Sequence, residues 1–220
     1  MGTESGDVGR NITQLLLDQG IFTEQALLER FALCVGTHKA DAKRAKLRYH
    51  PVDQQSDDAE RNAERNLKAL QGVIEHSNEQ LKTLGLMVAR MKSKASGVQE
   101  TYYGLVDLNS HDEFSKLATT LNKGEQEYFR RVVAEILASD DKEIFSTDAK
   151  NLGRELEVAK LNADQAESCL EQLERGSWLT KVVDDDEVRY TLGVRTELQQ
   201  RYAPTGPDPA QQQETAELDD

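Results

Sequence analysis

Residues 178–192 read WLTKVVDDDEVRYTL, and the fold class can be predicted starting from this stretch. Two runs rich in β-forming side chains, 178–183 and 188–192, flank four consecutive acidic residues, which is the pattern of two strands joined by a turn. In the second run Arg189 and Thr191 alternate with apolar side chains, so one face of the hairpin should point to water and the other to a core. The segment therefore predicts a β-hairpin that follows a set of helices.

The same order occurs earlier in the chain. Residues 86–91 and 101–108 predict the two strands of a first hairpin, and the connection 92–100 between them is rich in Lys, Ser and Gly, which predicts a long wing. Amphipathic helices precede each hairpin. This doubling predicts a mostly helical α+β protein built from tandem winged-helix domains, each with a β-hairpin wing.

The helices of the first domain follow from three-four spacing and from capping residues. A short helix should end at Gly20, and the Thr23 hydroxyl should cap a second helix. A third helix is predicted before Gly85. Between residues 37 and 60 the apolar rhythm disappears and Pro51 interrupts any helix, so this segment is interpreted as a polar insertion in a first domain of residues 1–108.

The second domain is predicted over residues 109–203. Its first helix carries an apolar face at 114–121, and residues 129–137 predict a strongly amphipathic helix. Ser146 or Thr147 should cap the next helix, and Asn162 with Gln165 forms a capping-box pattern before a third. A last short helix precedes residues 204–220, whose prolines, glutamines and acids predict a disordered acidic tail.

Composition limits the possible functions. The formal net charge is -13, so long-range electrostatics repel a polyanion and any nucleic-acid contact must be local. Cys34 and Cys169 lie far apart within helical patterns, as buried thiols do in a reducing compartment. No signal peptide or membrane span is recognisable, which predicts a soluble intracellular protein without a membrane role.

No catalytic constellation emerges. The four histidines, at positions 38, 50, 76 and 111, sit in separate segments without the carboxylate or cysteine partners that a nucleophilic or metal mechanism requires. A glycine-rich phosphate loop is also missing from the sequence. We therefore predict no catalytic residue, no metal site, no cofactor and no small-molecule substrate.

Three stretches resemble the non-SMC element 1 family, whose members are subunits of the SMC five-six chromosome-maintenance complex. They are YYGLVDL at 102–108, DEFSKLATTLNKGEQEYFRRVVAEIL at 112–137 and CLEQLERGSWL at 169–179. The resemblance is clearest over residues 101–202, weaker over 12–36 and interrupted at 37–60. Its motifs are moderately specific, because other winged helices share the helical spacing.

The resemblance implies two winged-helix domains that dock on a melanoma-antigen-homology subunit, with a kleisin subunit completing a module that supports DNA repair and recombination. It implies a chromosome-associated protein of the nucleus that meets DNA mainly through its partners. Family members commonly add a C-terminal RING, which needs about eight Cys and His ligands for two zinc ions. Neither residue type follows Cys169 here, so two alternatives stay open: a ubiquitin-ligase subunit whose RING is absent from this chain, and a free-standing DNA-binding regulator.

The DNA-binding alternative is disfavoured in the second domain, because its third predicted helix carries four acids at 164, 167, 171 and 174. The first domain has two basic stretches that predict an auxiliary phosphate contact, with ordinary surface charge as the alternative. The candidates are Lys43, Arg44, Lys46, Arg48, Arg90, Lys92 and Lys94.

Protein binding is the remaining use for an excess of apolar side chains near the N-terminus. Residues 15–17 are three consecutive leucines followed closely by Ile21 and Phe22, and one helix face cannot hide all of them. Leu15, Leu16 and Phe22 are therefore candidates for a partner interface. The alternative, that they pack within the protein itself, is equally consistent with the pattern.

Overall fold

The computed structural model describes residues 6–44, 46–52, 58–94, 97–108, 121–157, 160–185 and 187–202. Its contacts divide the chain into two compact units, Met1–Leu105 and Val106–Asp220. Each unit combines helices with a small three-stranded sheet, which confirms the predicted α+β, mostly helical fold class. The predicted boundary between residues 108 and 109 adjoins residues outside the described part of the chain and stays a prediction.

The first unit follows the order helix, strand, three helices and a final pair of strands. Strand β3 lies between β1 and β2, and β1 pairs antiparallel with β3 so that Ile21 faces Gly104. Its elements are α1 (Gly6–Gln19), β1 (Ile21–Thr23), α2 (Glu24–Thr37), α3 (Lys39–Arg44), α4 (Ala59–Leu81), β2 (Leu86–Ser93) and β3 (Glu100–Asp107). The last two residues of β3, Val106 and Asp107, are counted with the second unit.

Two residues near the start of this unit define where helices end and begin: Gly20 ends α1 and Thr23 caps α2. Gly20 has a φ of 84° and its N–H donates to the Leu16 carbonyl at 2.9 Å, so it ends α1 in the left-handed conformation that glycine adopts readily. The Thr23 hydroxyl accepts from the Ala26 N–H at 3.2 Å and caps α2. Both predictions are confirmed.

Two elements of the first unit were not anticipated. Strand β1 has only three residues, too few to display a two-residue period. The segment 37–60, interpreted as a polar insertion, contains helix α3 and the first residues of α4, so the loss of apolar rhythm there does not exclude helix. Ala42 of α3 is buried, but one small side chain gives little apolar signal.

A shared apolar core closes the first unit. Helices α1, α2 and α4 contribute most of it, and the aromatic strand β3 covers one side. The buried side chains are Val8, Ile12, Leu16, Phe22, Leu27, Phe31, Ala42, Leu70, Val73, Ile74, Leu81, Val88, Ala89, Met91, Tyr102, Tyr103 and Leu105.

The second unit has the order helix, strand, two helices, two strands and a last helix. Strand β6 lies between β4 and β5 and is antiparallel to both, with Ile144 opposite Tyr190 and Leu179 opposite Leu192. The elements are α5 (Lys123–Ala138), β4 (Glu143–Phe145), α6 (Ser146–Glu155), α7 (Ala163–Arg175), β5 (Leu179–Asp184), β6 (Glu187–Leu192) and α8 (Val194–Tyr202).

Capping boxes define the starts of two helices of this unit, α5 and α7. Asn162 and Gln165 form the predicted capping box of α7, and Asn122 with Glu125 forms a second box at α5. The prediction that Ser146 or Thr147 caps the next helix was wrong. Helix α6 begins at Ser146 itself, and its N-cap position is Phe145, which makes no side-chain cap bond.

Trp178 anchors the core of the second unit. It is 5% exposed, its ring lies edge-on to Phe129 at 5.6 Å between centroids, and the Arg195 guanidinium stacks over it at 4.2 Å. Burial lowers the pKa of Arg195 to about 10. Because Arg195 belongs to α8, this stacking packs α8 on the start of β5.

Some predictions fall outside the described residues: most of the apolar face expected at 114–121, and the tail at 204–220. Among the helices that are described, none is both long and apolar enough to cross a membrane.

Candidate interaction surfaces

The described residues contain no group of three or more His, Cys, Asp or Glu side chains that could hold a metal ion. Burial raises the pKa of the Cys169 thiol to about 12, and burial also raises that of Cys34. Both thiols are therefore protonated at neutral pH and poor nucleophiles.

The N-terminal leucines separate into a core set and an exposed residue. Leu16 and Phe22 are 0% and 6% exposed within the first unit, and Leu15 is partly buried. This burial favours the alternative in which these side chains pack within the protein. Leu17, which was not a candidate, is the exposed member of the triplet at 46%.

Further exposed apolar side chains of the first unit were missed. Leu33 on α2 is 61% exposed, and Leu84, in the single 3₁₀ turn after α4, is 67% exposed. Each fits a helical apolar pattern, so the sequence alone does not distinguish them from core leucines. Together with Leu17 they are the leucines of this unit that are available to a partner.

Arg90 is tied into its own unit. Its guanidinium lies 3.4 Å from the Glu24 carboxylate and 5.9 Å from the Tyr103 ring centroid, and the Tyr103 hydroxyl donates to the same carboxylate at 3.0 Å. Burial and the Glu24 charge raise the pKa of Tyr103 to about 12. Glu24 thus offsets the charge of one predicted DNA-contact residue.

The other basic candidates occupy two segments of the first unit. Lys43, Lys46 and Arg48 are exposed around the end of α3, and Lys92 and Lys94 are exposed at the end of β2. For Arg44 the structure describes the backbone of α3 and not the side chain. These lysines are available to a phosphate, whereas Arg90 already has a carboxylate partner.

Helix α7 presents an acidic surface. Asp164, Glu167 and Glu171 are exposed, while Cys169, Leu170 and Leu173 face the core. The Lys150 ammonium neutralises Glu167 at 2.8 Å. An acidic helix in this position would repel phosphates, which agrees with the charge argument made from the sequence.

The solvent face of the second sheet carries apolar side chains around an ion pair. Phe145 and Val182 lie on either side of Arg189 in one row across the strands and are 44% and 36% exposed. The Arg189 guanidinium binds Glu143 at 2.6 Å and Asp184 at 3.0 Å, and the hydrogen bond with Glu143 raises its pKa. The row therefore presents apolar surface beside a cation that is already paired.

A surface groove of about 340 Å³ lies beside α5 in the second unit. Arg130 and Arg131 line it together with three glutamates, so its charges largely offset one another. The remaining lining residues are Ala134 and Leu156.

These observations define the class of protein: a mostly helical α+β protein of two units, each with a small three-stranded sheet. The family model described as "Nse1 non-SMC component of SMC5-6 complex" matches residues 9–198, and the chain belongs to this family. The resemblance seen in the sequence is thereby confirmed.

Individual relatives agree with this assignment. The "Non-structural maintenance of chromosomes element 1 homolog" proteins of Homo sapiens and Pongo abelii are each 27% identical over 204 residues, covering 92% of this chain. The chain spans 65% of the length of these relatives. A solved structure described as "Nse1-Nse3-Nse4 complex" superposes with a TM-score of 0.65 at 23% identity, covering 89% of this chain and 71% of that one, which is a likeness of fold.

Proposed function

We propose that this chain is a non-catalytic subunit of a nuclear, chromosome-associated SMC5-6 complex, with both units acting as winged-helix adaptors. Its partners are a melanoma-antigen-homology subunit and a kleisin subunit, and through them it supports DNA repair and recombination. The observation that carries the proposal is the family match over residues 9–198, which includes described elements of both units.

The surfaces of the first unit support a role in assembly. Leu17, Leu33 and Leu84 leave large apolar side chains in water although the unit has a well-filled core. Burying one such leucine against a partner contributes about 1.5–3 kcal/mol. Because Leu16 and Phe22 already serve the core, the partner contact is assigned to the exposed leucines.

Co-purification tests this proposal. The full chain, co-expressed with the Nse3-type and Nse4-type subunits of the same species, is expected to elute with them as one complex in size-exclusion chromatography. Leu33→Glu or Leu84→Glu should weaken that complex without changing the melting temperature of the free chain, because both side chains are exposed.

Matched substitutions complete the design. Leu16→Ala should lower the melting temperature, since it removes a fully buried side chain. Leu28→Glu introduces the same charge as Leu33→Glu into the same helix, α2, but at a partly buried position. Separate elution of the wild-type chain and both subunits would contradict the proposed function. Loss of binding in Leu16→Ala at an unchanged melting temperature would instead return the interface to the buried leucines.

A second candidate activity is an auxiliary contact with DNA phosphates. The exposure of Lys43, Lys46, Lys92 and Lys94 favours it, while the net charge of -13 keeps the contact weak in the absence of partners. DNA engagement then depends mainly on surfaces that the partner subunits supply.

A further inference from the structure

We propose that the free edge of β5 accepts an extended polypeptide segment of a partner protein as a fourth, antiparallel strand. Strand β5 stands at the end of the order β4-β6-β5, so only one of its sides is paired with another strand of the described chain. A sheet edge of this kind offers backbone donors and acceptors to an added strand.

The phase of the existing ladder shows which backbone groups are available. The Gly193 N–H donates to the Trp178 carbonyl at 2.9 Å, so residues 178 and 193 occupy a hydrogen-bonded position of the antiparallel ladder. These positions alternate, which directs the backbone groups of Thr180 and Val182 toward β6. The N–H and C=O groups of Lys181 and Val183 therefore point outward.

The tight turn after β5 is consistent with this alternation of hydrogen-bonded positions. Asp184 is opposite Glu187 in the register, and Asp185 between them has a φ of 50°, as a two-residue hairpin turn requires. Such a turn is closed by a hydrogen-bonded pair, which again places Lys181 and Val183 at outward positions. No described residue forms a backbone hydrogen bond to their outward groups.

The side chains of this edge are suited to a strand. Val182 and Val183 point to opposite faces and are 36% and 64% exposed. Edge strands usually avoid consecutive exposed valines, because these favour unwanted pairing. The exposed Lys181 and Asp184 on either side of the valines restrict pairing to a segment with complementary charges.

Charge complementarity specifies the occupant. An antiparallel segment should place a carboxylate opposite Lys181 and apolar side chains opposite the two valines. A cation opposite Asp184 would share that carboxylate with Arg189, which already binds it at 3.0 Å. Opposite charges across paired strands stabilise a sheet and like charges destabilise it. A second copy of this chain is a poor occupant, because two molecules with a net charge of -13 repel each other.

A synthetic peptide tests the proposal on the full ¹⁵N-labelled chain. The probe is acetyl-Thr-Lys-Val-Val-Glu-Thr-Thr-amide, whose first Val and whose Glu would lie opposite Val183 and Lys181. Titration followed by NMR should give a dissociation constant on the order of 0.1–1 mM. The largest amide shifts should fall at Lys181, Val183 and their neighbours.

The backbone bonds and the charges are tested separately. Methylating the backbone nitrogens of the first Val and the Glu in the peptide removes the two donors and should weaken binding roughly tenfold or more. Exchanging the peptide's Lys and Glu should weaken it about fivefold, because two exposed charge pairs become unfavourable.

A variant of the chain provides an independent measurement. Val183→Pro removes an outward N–H and leaves the β6 ladder intact, so it should abolish peptide binding. Val183→Thr keeps that N–H and should lose at most about threefold. If Val183→Pro fails to fold, the methylated peptide on the wild-type chain gives the same information.

Several results would overturn the proposal: absence of binding at about 2 mM peptide, equal binding of the methylated peptide, or shifts that fall away from β5. The experiment uses neither of the proposed partner subunits. Its failure would therefore leave the proposed assembly function standing, and failure of the co-purification would leave the edge-strand proposal standing.

Discussion

At the scale of single residues, three carboxamide side chains act as substitutes for a strand. Asn66 accepts from the His50 N–H and donates to the His50 carbonyl, Asn78 does the same to Val88, and Gln199 does so to Asp107. Each satisfies both backbone groups of one extended residue, which would otherwise require a neighbouring strand. Asn66 is 1% exposed and joins the segment before residue 53 to helix α4.

Removing the Asn66 amide should therefore destabilise the first unit. Asn66→Ala leaves the N–H and C=O of His50 without their partner, and the expected cost is about 2 kcal/mol in the free energy of unfolding. Urea denaturation measures this loss. Asn62→Ala is the control, because Asn62 makes one bond to the Pro51 carbonyl at 3.1 Å and should cost less than about 1 kcal/mol. Equal stabilities of the two variants would contradict the role assigned to Asn66.

The buried thiol of Cys169 makes stability depend on pH. Burial raises its folded pKa to about 12 from an ordinary value of 9.0, so above pH 9 the unfolded chain loses a proton that the folded chain keeps. The contribution is fully present below pH 9 and is lost as the pH rises toward 12. Between pH 8 and pH 10 the wild type should lose about 1.4 kcal/mol relative to Cys169→Ala.

Urea titrations of both proteins at the two pH values check this expectation. Comparing the two proteins cancels the contribution of the tyrosines, whose pKa values are also raised and which are present in both. A constant difference between them from pH 8 to pH 10 would show that Cys169 is accessible to water in the folded state.

At the scale of elements, some helices begin with a side-chain cap and others begin without one. In α7 the Asn162 side chain accepts from the Gln165 N–H at 2.9 Å, and the Gln165 side chain accepts from the Asn162 N–H at 3.0 Å. Helix α6 begins without any side-chain cap bond, although Ser146 and Thr147 are capping residue types. A capping residue type therefore indicates the neighbourhood of a helix start and not the cap position itself.

Substitutions at these two helix starts should differ in cost. Asn162→Ala removes a cap and should destabilise the second unit by about 1 kcal/mol. Thr147→Ala changes an exposed residue that makes no cap bond and should stay within about 0.5 kcal/mol of the wild type. Thermal unfolding followed by circular dichroism distinguishes them, and the interpretation is wrong if Thr147→Ala is the more damaging change.

Replacing two glycines with alanine should change the stability of the protein in opposite directions. At Gly193, between β6 and α8, a Cβ atom would lie 2.7 Å from the Trp178 carbonyl carbon, so Gly193→Ala should cost about 3 kcal/mol or more. At Gly72 in α4 nothing lies within 4 Å of the added atom, and Gly72→Ala should gain about 0.5–1 kcal/mol. Denaturant midpoints of the two variants should move to opposite sides of the wild-type value.

At the scale of the whole molecule, charge limits any contact that the protein could make with nucleic acid. A net charge of -13 and an acidic α7 surface oppose DNA, while exposed lysines of the first unit attract phosphates locally. The balance should give weak binding that depends steeply on salt. The same balance supports the proposed role among partner subunits over DNA recognition by the chain alone.

Binding of a fluorescent duplex at increasing salt checks this balance. The chain should bind weakly at about 50 mM salt. In the double variant Lys92→Glu with Lys94→Glu, the negative slope of log affinity against log salt should become shallower by about 2. Lys160→Glu, an exposed residue of the second unit, should leave the slope unchanged. An absence of binding by the wild type, or an equal slope in the double variant, would contradict the proposed contact between these lysines and DNA.

Local signals are sufficient to predict the two hairpins, the long amphipathic helices and the family resemblance, because two-residue and three-four periodicities, capping boxes and motif spacing are local properties. Other features depend on tertiary contacts. Strands β1 and β4, of three residues each, exist through pairing with distant strands. Whether a leucine lies in the core or on the surface, as with Leu16 and Leu17, depends on what packs against its helix. The pairing of Arg90 with Glu24 likewise joins residues that are distant in sequence. Burial and charge pairing are set by neighbours remote in sequence, which a one-dimensional pattern does not contain.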